Sequence, residues 1–352
     1  MGEILRITGP GAISFDPYDE PALGPSQVRI ATLYSGISAG TELTHYRGTN
    51  PMRARRWDPA ARIFVDAPDP AYYPRGTGYE EVGTVAEVGR EVRSVTPGDI
   101  VFGTWTHRST WVMDETAAFE GLLPRGLEPI QGIFSQIGSI ALNGILDAGP
   151  RLREWVAVFG MGIPGLICTR LAVLCGARVI AVDLMESRLA RAKSFGAELT
   201  VNARAGSAAA AIRDATGGGA DICVEVSGST RALHDAIKSA SYQGTVVAMG
   251  FYQGEAQGLS LGEEFHHNRI RLVSSQIGGI QPGLSARWSR ARLVRTVMDL
   301  QRDGRLPLKD LISHRVPFHR AGEIYRLLDA DPAQVLQAVL CFPGTPESES
   351  DA

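Results

Sequence analysis

The sequence predicts an α/β protein in two parts, a β-rich domain and a doubly wound parallel-sheet domain, and three observations predict it. Between about 4 and 119, short β-type runs are broken by Gly and Pro, the texture of a compact β-rich domain. From 155 onward, apolar strands alternate with amphipathic helices, the βαβ rhythm of a parallel sheet covered on both faces. Where that rhythm begins, a G-x-G-x-x-G turn follows the first strand and opens the first helix. A chain of 352 residues has room for both cores.

In the first part the β-type runs are 28–34, 82–88 and 100–102, the last entered through a Pro97-Gly98 turn. The second part reads as strand 155–159, helix to 175, strand 178–182, helix to 195, strand 221–226, helix to 240 and strand 245–249. A further strand is expected at 270–275. Helical patterning returns after about 287, and a short strand follows at 339–342. Residues 346–352 form an acidic tail, too polar to bury and expected to be disordered.

Composition narrows the function. A net charge of −3 gives no electrostatic reason to expect nucleic acid or an anionic membrane as partner. No apolar run is long enough to span a bilayer, and the N-terminus has no basic stretch leading into an apolar segment, so a cytoplasmic protein is expected. Cys168, Cys175, Cys223 and Cys341 show no metal-ligand spacing. Their apolar neighbours predict small buried hydrophobes in a reducing compartment.

The glycine turn carries the most chemistry. Gly160 permits the tight turn, Gly162 lets the backbone approach a pyrophosphate, and Gly165 allows close helix–strand packing, with Met161, Ile163 and Pro164 between them. The helix N-terminus attracts the anion. Asp183 ends the next strand, about 20 residues on, where a carboxylate accepts hydrogen bonds from ribose hydroxyls and repels a 2′-phosphate. NAD is therefore expected over NADP. Arg188 and Arg191 follow on the next helix. Arg188 is a candidate for the coenzyme's adenosine end, although the surrounding charges fit a solvent face.

Three stretches together resemble the medium-chain dehydrogenase/reductase superfamily. Residues 82–89 with 95–101 resemble its GxVxxVGxxVxxxxxGDxV signature. Residues 189–202 resemble its helix ending in a Gly-Ala turn before the third strand, and 219–221 with 224–228 its strand facing nicotinamide. The resemblance implies a GroES-like substrate domain, a Rossmann coenzyme domain and hydride transfer in a cleft between them. It also implies that the C-terminal segment returns to the substrate domain, giving boundaries of 1–150 with 288–345 and 151–287. Ser227, Gly250 and Ser275 are then the small residues expected beside nicotinamide.

Departures from the superfamily pattern bear on mechanism. Where zinc-bearing members carry a Cys after the first long strand, this chain has Ser38. Where they carry Gly-His-Glu, it has Gly78-Tyr79-Glu80, and the third ligand position falls in Phe134-Ser135-Gln136-Ile137. The four-cysteine structural zinc lobe is missing, since no Cys precedes Cys168. Zinc draws on Cys, His and carboxylate donors, so a zinc-free site is expected, with Glu80, His45 and His107 as the alternative donors should a zinc be retained. Without a Lewis acid a side chain must serve the substrate oxygen. Tyr79 is the first candidate, against a packed aromatic with a satisfied hydroxyl. Thr41 matches the family's Ser/Thr relay, against a turn-capping hydroxyl. Glu80 is expected to orient Tyr79 or meet a basic residue, with simple solvation of Glu80 or its neighbour Glu81 as the plainer outcome.

His107 lies on the loop replacing the structural-zinc region, lining the cleft or exposed on a hairpin. His266 and His267 precede the 270–275 strand, and neighbours on a strand point to opposite faces, which argues against joint ligation. The segment Ser35-Gly36-Ile37-Ser38-Ala39-Gly40-Thr41-Glu42 resembles that of the bacteriochlorophyllide, sugar and cyclitol dehydrogenase-like group. Polar candidates Thr41, Glu42, His45, Glu80, His107 and Gln136 suit a polyol, sugar or cyclitol. An NAD-dependent alcohol–carbonyl oxidoreductase is expected, with a zinc-free quinone or enoyl reductase and a catalytically silent dinucleotide-binding protein as the alternatives. A homodimer through the coenzyme-domain sheet edge near 270–280 is expected as well.

Overall fold

The computed structural model describes residues 1–345; the acidic stretch 346–352, expected to be disordered, lies outside the described residues. In chain order, β1 (Gly2–Gly9), β2 (Ala12–Tyr18) and β3 (Gln27–Ile37) lead into the short helix α1 (Glu42–Arg47). A hairpin of β4 (Arg55–Asp58) and β5 (Ile63–Asp66) precedes β6 (Arg75–Gly76), β7 (Glu81–Val88), β8 (Ile100–Gly103), β9 (Thr110–Asp114) and α2 (Glu115–Glu120). Next come α3 (Phe134–Ala148), β10 (Trp155–Phe159), α4 (Ile163–Leu174), β11 (Arg178–Asp183), α5 (Glu186–Ser194), β12 (Leu199–Asn202) and α6 (Ala208–Thr216). The chain continues through β13 (Ala220–Glu225), α7 (Thr230–Ser239), β14 (Ala240–Ala248) and β15 (Arg271–Ser274). It ends in α8 (Arg290–Arg302), β16 (Ile312–Pro317), α9 (Ala321–Ala330) and β17 (Gln337–Cys341). Two compact units result: Met1–Gln136 with the chain from Met298 on, and Ile137–Val297.

In the first unit β3 is the organising strand. The sheet runs β16-β17-β3-β7-β8, with β9 also paired to β3. Antiparallel register sets Ser35 opposite Glu81 on β7 and opposite Leu340 on β17. Apolar side chains cover the sheet: Val28, Ile30, Val85, Val101 and Trp105 form one cluster, and Ile37, Leu43, Tyr46, Phe318 and Tyr325 belong to another. Burial of such groups stabilises a domain by roughly 25 cal/mol per Å² of apolar surface.

The second unit is a six-stranded, all-parallel sheet in the order β12-β11-β10-β13-β14-β15, an α/β arrangement of the dinucleotide-binding kind. The order reverses between β10 and β13, and in such sheets ligands bind beyond the strand C-termini at that reversal. Phe159 on β10 lies opposite Val182 on β11 and Glu225 on β13, so the glycine turn leaves the sheet at the reversal. Local chemistry sets the flanking helices. Ser207 Oγ accepts from Ala210 N at the start of α6, and Gly217 ends it in the left-handed region at φ 76°.

Two sequence expectations change here. Cys168, Cys223 and Cys341 are buried, but Cys175 is exposed, because it caps the C-terminus of α4. His266 and His267 sit on a helical turn, not at a strand start, and their rings meet edge to face at 5.4 Å. The opposite-faces argument therefore does not apply to them.

Candidate active site

The β3–α1 connection and the segment entering β7 bring three hydroxyls together. Ser38 Oγ is hydrogen-bonded to the Tyr79 hydroxyl, which also bonds the side chain of Thr41. All three residues are half-buried. Thr41 occupies the N-cap position of α1, but its side chain makes no capping bond. Burial, then the nearby charge of Glu80, pushes the Tyr79 phenol well above its usual pKa, so it stays protonated at neutral pH.

Beneath this cluster lies a buried ionisable network. Glu42 Oε1 accepts from Ser38 N at 2.8 Å; its Oε2 meets His107 Nε2 at 2.7 Å and accepts from the Tyr325 hydroxyl at 2.6 Å. The other ring nitrogen, His107 Nδ1, lies 2.5 Å from Ser35 Oγ, which donates to Glu81 Oε1 at 2.9 Å. Glu81 Oε2 accepts from Trp105 N at 2.8 Å. Burial alone would raise the Glu42 carboxyl; His107 and the three donors outweigh it and hold Glu42 below its ordinary value. Glu81, raised by burial that its donors only partly offset, sits well above. Glu80 is pushed up to about 8 by burial and the charge of Glu42, with only Gln337 Nε2 at 3.5 Å in return.

Against the sequence, three corrections follow. His107 is fully buried, not on a surface hairpin, because its backbone is pinned on both sides: its N–H donates to Thr77 O and its carbonyl accepts from Leu5 N. Neither Glu80 nor Glu81 is solvated; both are buried where the segment enters β7. Among the described residues Glu80 bonds neither Tyr79 nor a basic side chain; it accepts only from Gln337 Nε2 at 3.5 Å. His45 is also buried, bonded through Nδ1 to the Tyr72 hydroxyl, and burial lowers it to about 4. Gln136 is buried.

The zinc that the superfamily resemblance implies can be tested on donor chemistry. The positions expected to ligate it carry Ser38 and Tyr79, whose hydroxyls bond each other, and zinc takes Cys, His or carboxylate donors instead. Among the described residues, no three His, Cys, Asp or Glu side chains are grouped to hold a metal. These residues do not fit the ion.

In the second unit, the glycine turn meets its requirements. Gly160 adopts φ 95°, and a Cβ at Gly165 would lie 1.7 Å from the Gly160 carbonyl oxygen. Gly162 is the N-cap of α4 with no side chain capping the helix, so first-turn N–H groups remain for an anion, with Ile163 and Pro164 opening the turn. Asp183 is buried, its Oδ2 accepting from Met161 N at 2.6 Å and its Oδ1 from Met185 N at 2.9 Å. The carboxylate thus braces the turn while keeping further lone pairs for ribose hydroxyls. Arg188 is half-buried beside Asp183, not on an open solvent face; burial lowers its pKa and Asp183 opposes the shift.

At the C-terminal ends of β13 and β14, Glu225 accepts from Ser227 N at 2.8 Å, Gly228 N at 3.2 Å, the Ser227 hydroxyl and the Tyr252 hydroxyl at 2.5 Å. A Cβ at Gly250 would lie 2.2 Å from Gly228 N, so only glycine lets these two loops meet. Ser275 follows β15, and its hydroxyl is held by Asn143 at 3.4 Å on α3. Sequence reasoning passed over Glu225 as a functional group, although a carboxylate inside the apolar run 222–226 was a signal. Ser35 and Tyr325 gave none, since their partners are remote in sequence.

A family described as zinc-binding dehydrogenase matches residues 165–292. The chain is 29% identical over 349 residues to D-guloside 3-dehydrogenase of Escherichia coli (strain K12), covering 96% of this chain and 99% of that one. It is 28% identical over 297 residues to (R,R)-butanediol dehydrogenase of Bacillus subtilis (strain 168), covering 76% and 81%. The crystal structure of 2R,3R-butanediol dehydrogenase from Bacillus subtilis superposes with a TM-score of 0.77 over 97% of this chain and 99% of that one, at 22% identity, a likeness of fold. Over nearly its whole length the chain is thus similar to medium-chain, NAD(P)-dependent enzymes of the alcohol dehydrogenase type.

Proposed function

We propose that the enzyme interconverts a secondary alcohol and a carbonyl on a polyol, sugar or cyclitol-like substrate, with NAD(H) as coenzyme and Tyr79, not zinc, serving the substrate oxygen. The observation that carries this is the joined hydroxyls of Ser38, Tyr79 and Thr41, which occupy the positions where the resemblance places metal ligands and the proton relay. The guloside and butanediol named in the relatives support a hydroxyl-rich or diol substrate. Asp183 supports NAD over NADP, because its charge disfavours a 2′-phosphate.

Nicotinamide supplies the hydride acceptor or donor. In reduction, the Tyr79 hydroxyl donates a hydrogen bond and then a proton to the carbonyl oxygen, and Ser38 and Thr41 return the proton from the half-exposed edge of the cluster. Oxidation runs the same path backwards. Glu42 fixes Ser38 through its backbone N–H, and His107 with Tyr325 holds Glu42.

Tyr79→Phe is expected to lower kcat by about 10²–10⁴ with NADH affinity retained, the size of effect general acid–base groups have. Elemental analysis should find no stoichiometric zinc, and chelator dialysis should leave turnover intact. Near one zinc per chain, with activity lost on chelation, would overturn the zinc-free mechanism and redirect attention to Glu80, His45 and His107.

A further inference from the structure

A cavity of about 480 Å³ in the first unit lies apart from the hydroxyl cluster, walled by the β4–β5 hairpin and the segment before β6. Its lining includes Arg55, Arg56, Arg75, Trp57 and Asp69. The volume falls in the range of small-molecule sites. Three guanidinium groups face it against one carboxylate.

How these charges are partnered decides what the cavity suits. Arg55 already pairs with Asp66 at 3.2 Å. Asp69 is engaged locally, accepting from Ala71 N at 2.9 Å. Arg75 is half-buried, and its guanidinium lies over the Tyr72 ring at 5.3 Å with no carboxylate of the described residues within ion-pairing distance. A half-buried cation without a counter-ion is costly unless something anionic joins it. Arg56 makes no ion pair; the charge it feels is that of Asp58, which two backbone N–H groups, of Ala60 and Ala61, already hold. Two planar forks are thus left for an oxyanion, and such forks match phosphate and carboxylate geometry. Beside them Trp57, 41% exposed and packed on Phe64 at 5.1 Å, offers an indole face of the kind that covers the C–H face of a sugar.

The cavity is tied to the hydroxyl cluster by chain and by contact. Arg75 and Tyr79 are four residues apart, so their Cα atoms lie within about 14 Å of each other. Tyr72, under Arg75, bonds His45 on α1, the helix whose N-cap is Thr41.

We propose that this cavity binds an anionic group, phosphate or carboxylate, carried on the sugar or polyol substrate, with Arg56 and Arg75 as its ligands and Trp57 against the carbon chain. As a statement about substrate, this rests on the polyol reading above; as an anion site it stands alone. The test compares three substrates at fixed ionic strength: D-glucitol, D-glucitol 6-phosphate and D-gluconate. Inorganic phosphate is titrated in parallel against tryptophan fluorescence, with Trp57→Phe identifying the Trp57 signal. At least one anionic substrate should exceed D-glucitol in kcat/KM by tenfold or more, and which one it is separates phosphate from carboxylate. Arg56→Met and Arg75→Met should each cut that anionic-to-neutral ratio at least tenfold and weaken the phosphate-dependent quench. Arg56 is exposed, so its variant keeps the test sharp if loss of the Arg75–Tyr72 stack disturbs folding. Equal kcat/KM for all three substrates, with a quench that neither arginine variant changes, overturns the site while leaving the polyol reading intact. An arginine-dependent quench with no turnover of any of the three does the reverse.

Discussion

At the scale of single residues, Asp183 and Glu80 show how one carboxylate chemistry is put to different uses. Asp183 braces the glycine turn through Met161 N, and on the proposed reading its charge disfavours a 2′-phosphate. NADH should bind more tightly than NADPH in a fluorescence titration, and Asp183→Asn should narrow the gap; equal affinities in the unmodified enzyme would contradict the reading. Glu80 titrates near 8 in the folded protein instead of its ordinary 4.5. Between those values the native state holds a proton that the unfolded chain has released, so stability falls as pH rises through that window and levels off above it. A tenfold change in proton affinity is worth about 1.4 kcal/mol. Glu80→Gln, uncharged throughout, should match the parent in urea unfolding near pH 5 and exceed it by a few kcal/mol near pH 8.5. A gap that does not grow with pH would show that Glu80 ionises freely. Local patterns singled out Tyr79, Thr41 and Asp183 as candidates, whereas the burial of His107 did not show in its neighbours. The burial of Glu80 and Glu81 was not legible, since their partners Gln337, Trp105 and Ser35 arrive from other parts of the chain.

Among elements, the parallel sheet was the most readable, because β10, β11, β13 and β14 carry short apolar runs separated by helices. Strands 155–159 and 178–182 reappear as β10 and β11 within a residue. Missed pieces included the 15-residue α3 as well as small ones: α1 has six residues, and the β4–β5 hairpin carries no core pattern, its Trp57, Ile63 and Phe64 all being exposed. Close packing of α4 against the turn sets a sharp steric limit. Gly165→Ala puts a Cβ 1.7 Å from a backbone oxygen, a clash relieved only by moving the turn, at a cost of about 1–3 kcal/mol. It should weaken NADH binding at least tenfold, whereas Gly206→Ala, whose Cβ would meet nothing within 4 Å, should bind as before. Equal affinities in both variants would mean the turn is more pliable than its geometry implies.

For the whole molecule, the open question is association. β15 is the last strand of its sheet, and Leu272 on it is 38% exposed. An unpaired apolar edge invites another chain, and a twofold dimer is the commonest closure. Light scattering at micromolar concentration should give twice the 37.8 kDa chain mass, and Val273→Pro should weaken association by removing a backbone donor; a monomer mass removes the dimer. The sheet of the first unit has a consequence of another kind. Its strand β17 lies between β16 and β3, yet β17 is made long after β3. About 200 residues separate the N-terminal part of this unit from that strand, and a ribosome adding about 5–20 residues per second needs on the order of ten to forty seconds to cover them. During that interval the nascent β3 carries an open flank, while every strand of the coenzyme-binding sheet is synthesised, the last of them ending at Ser274. Translation therefore hands the cell a finished nucleotide-binding half attached to an incomplete one, and a chain cut before Gln337 lacks a strand from the middle of the sheet that positions Ser35 and Ser38.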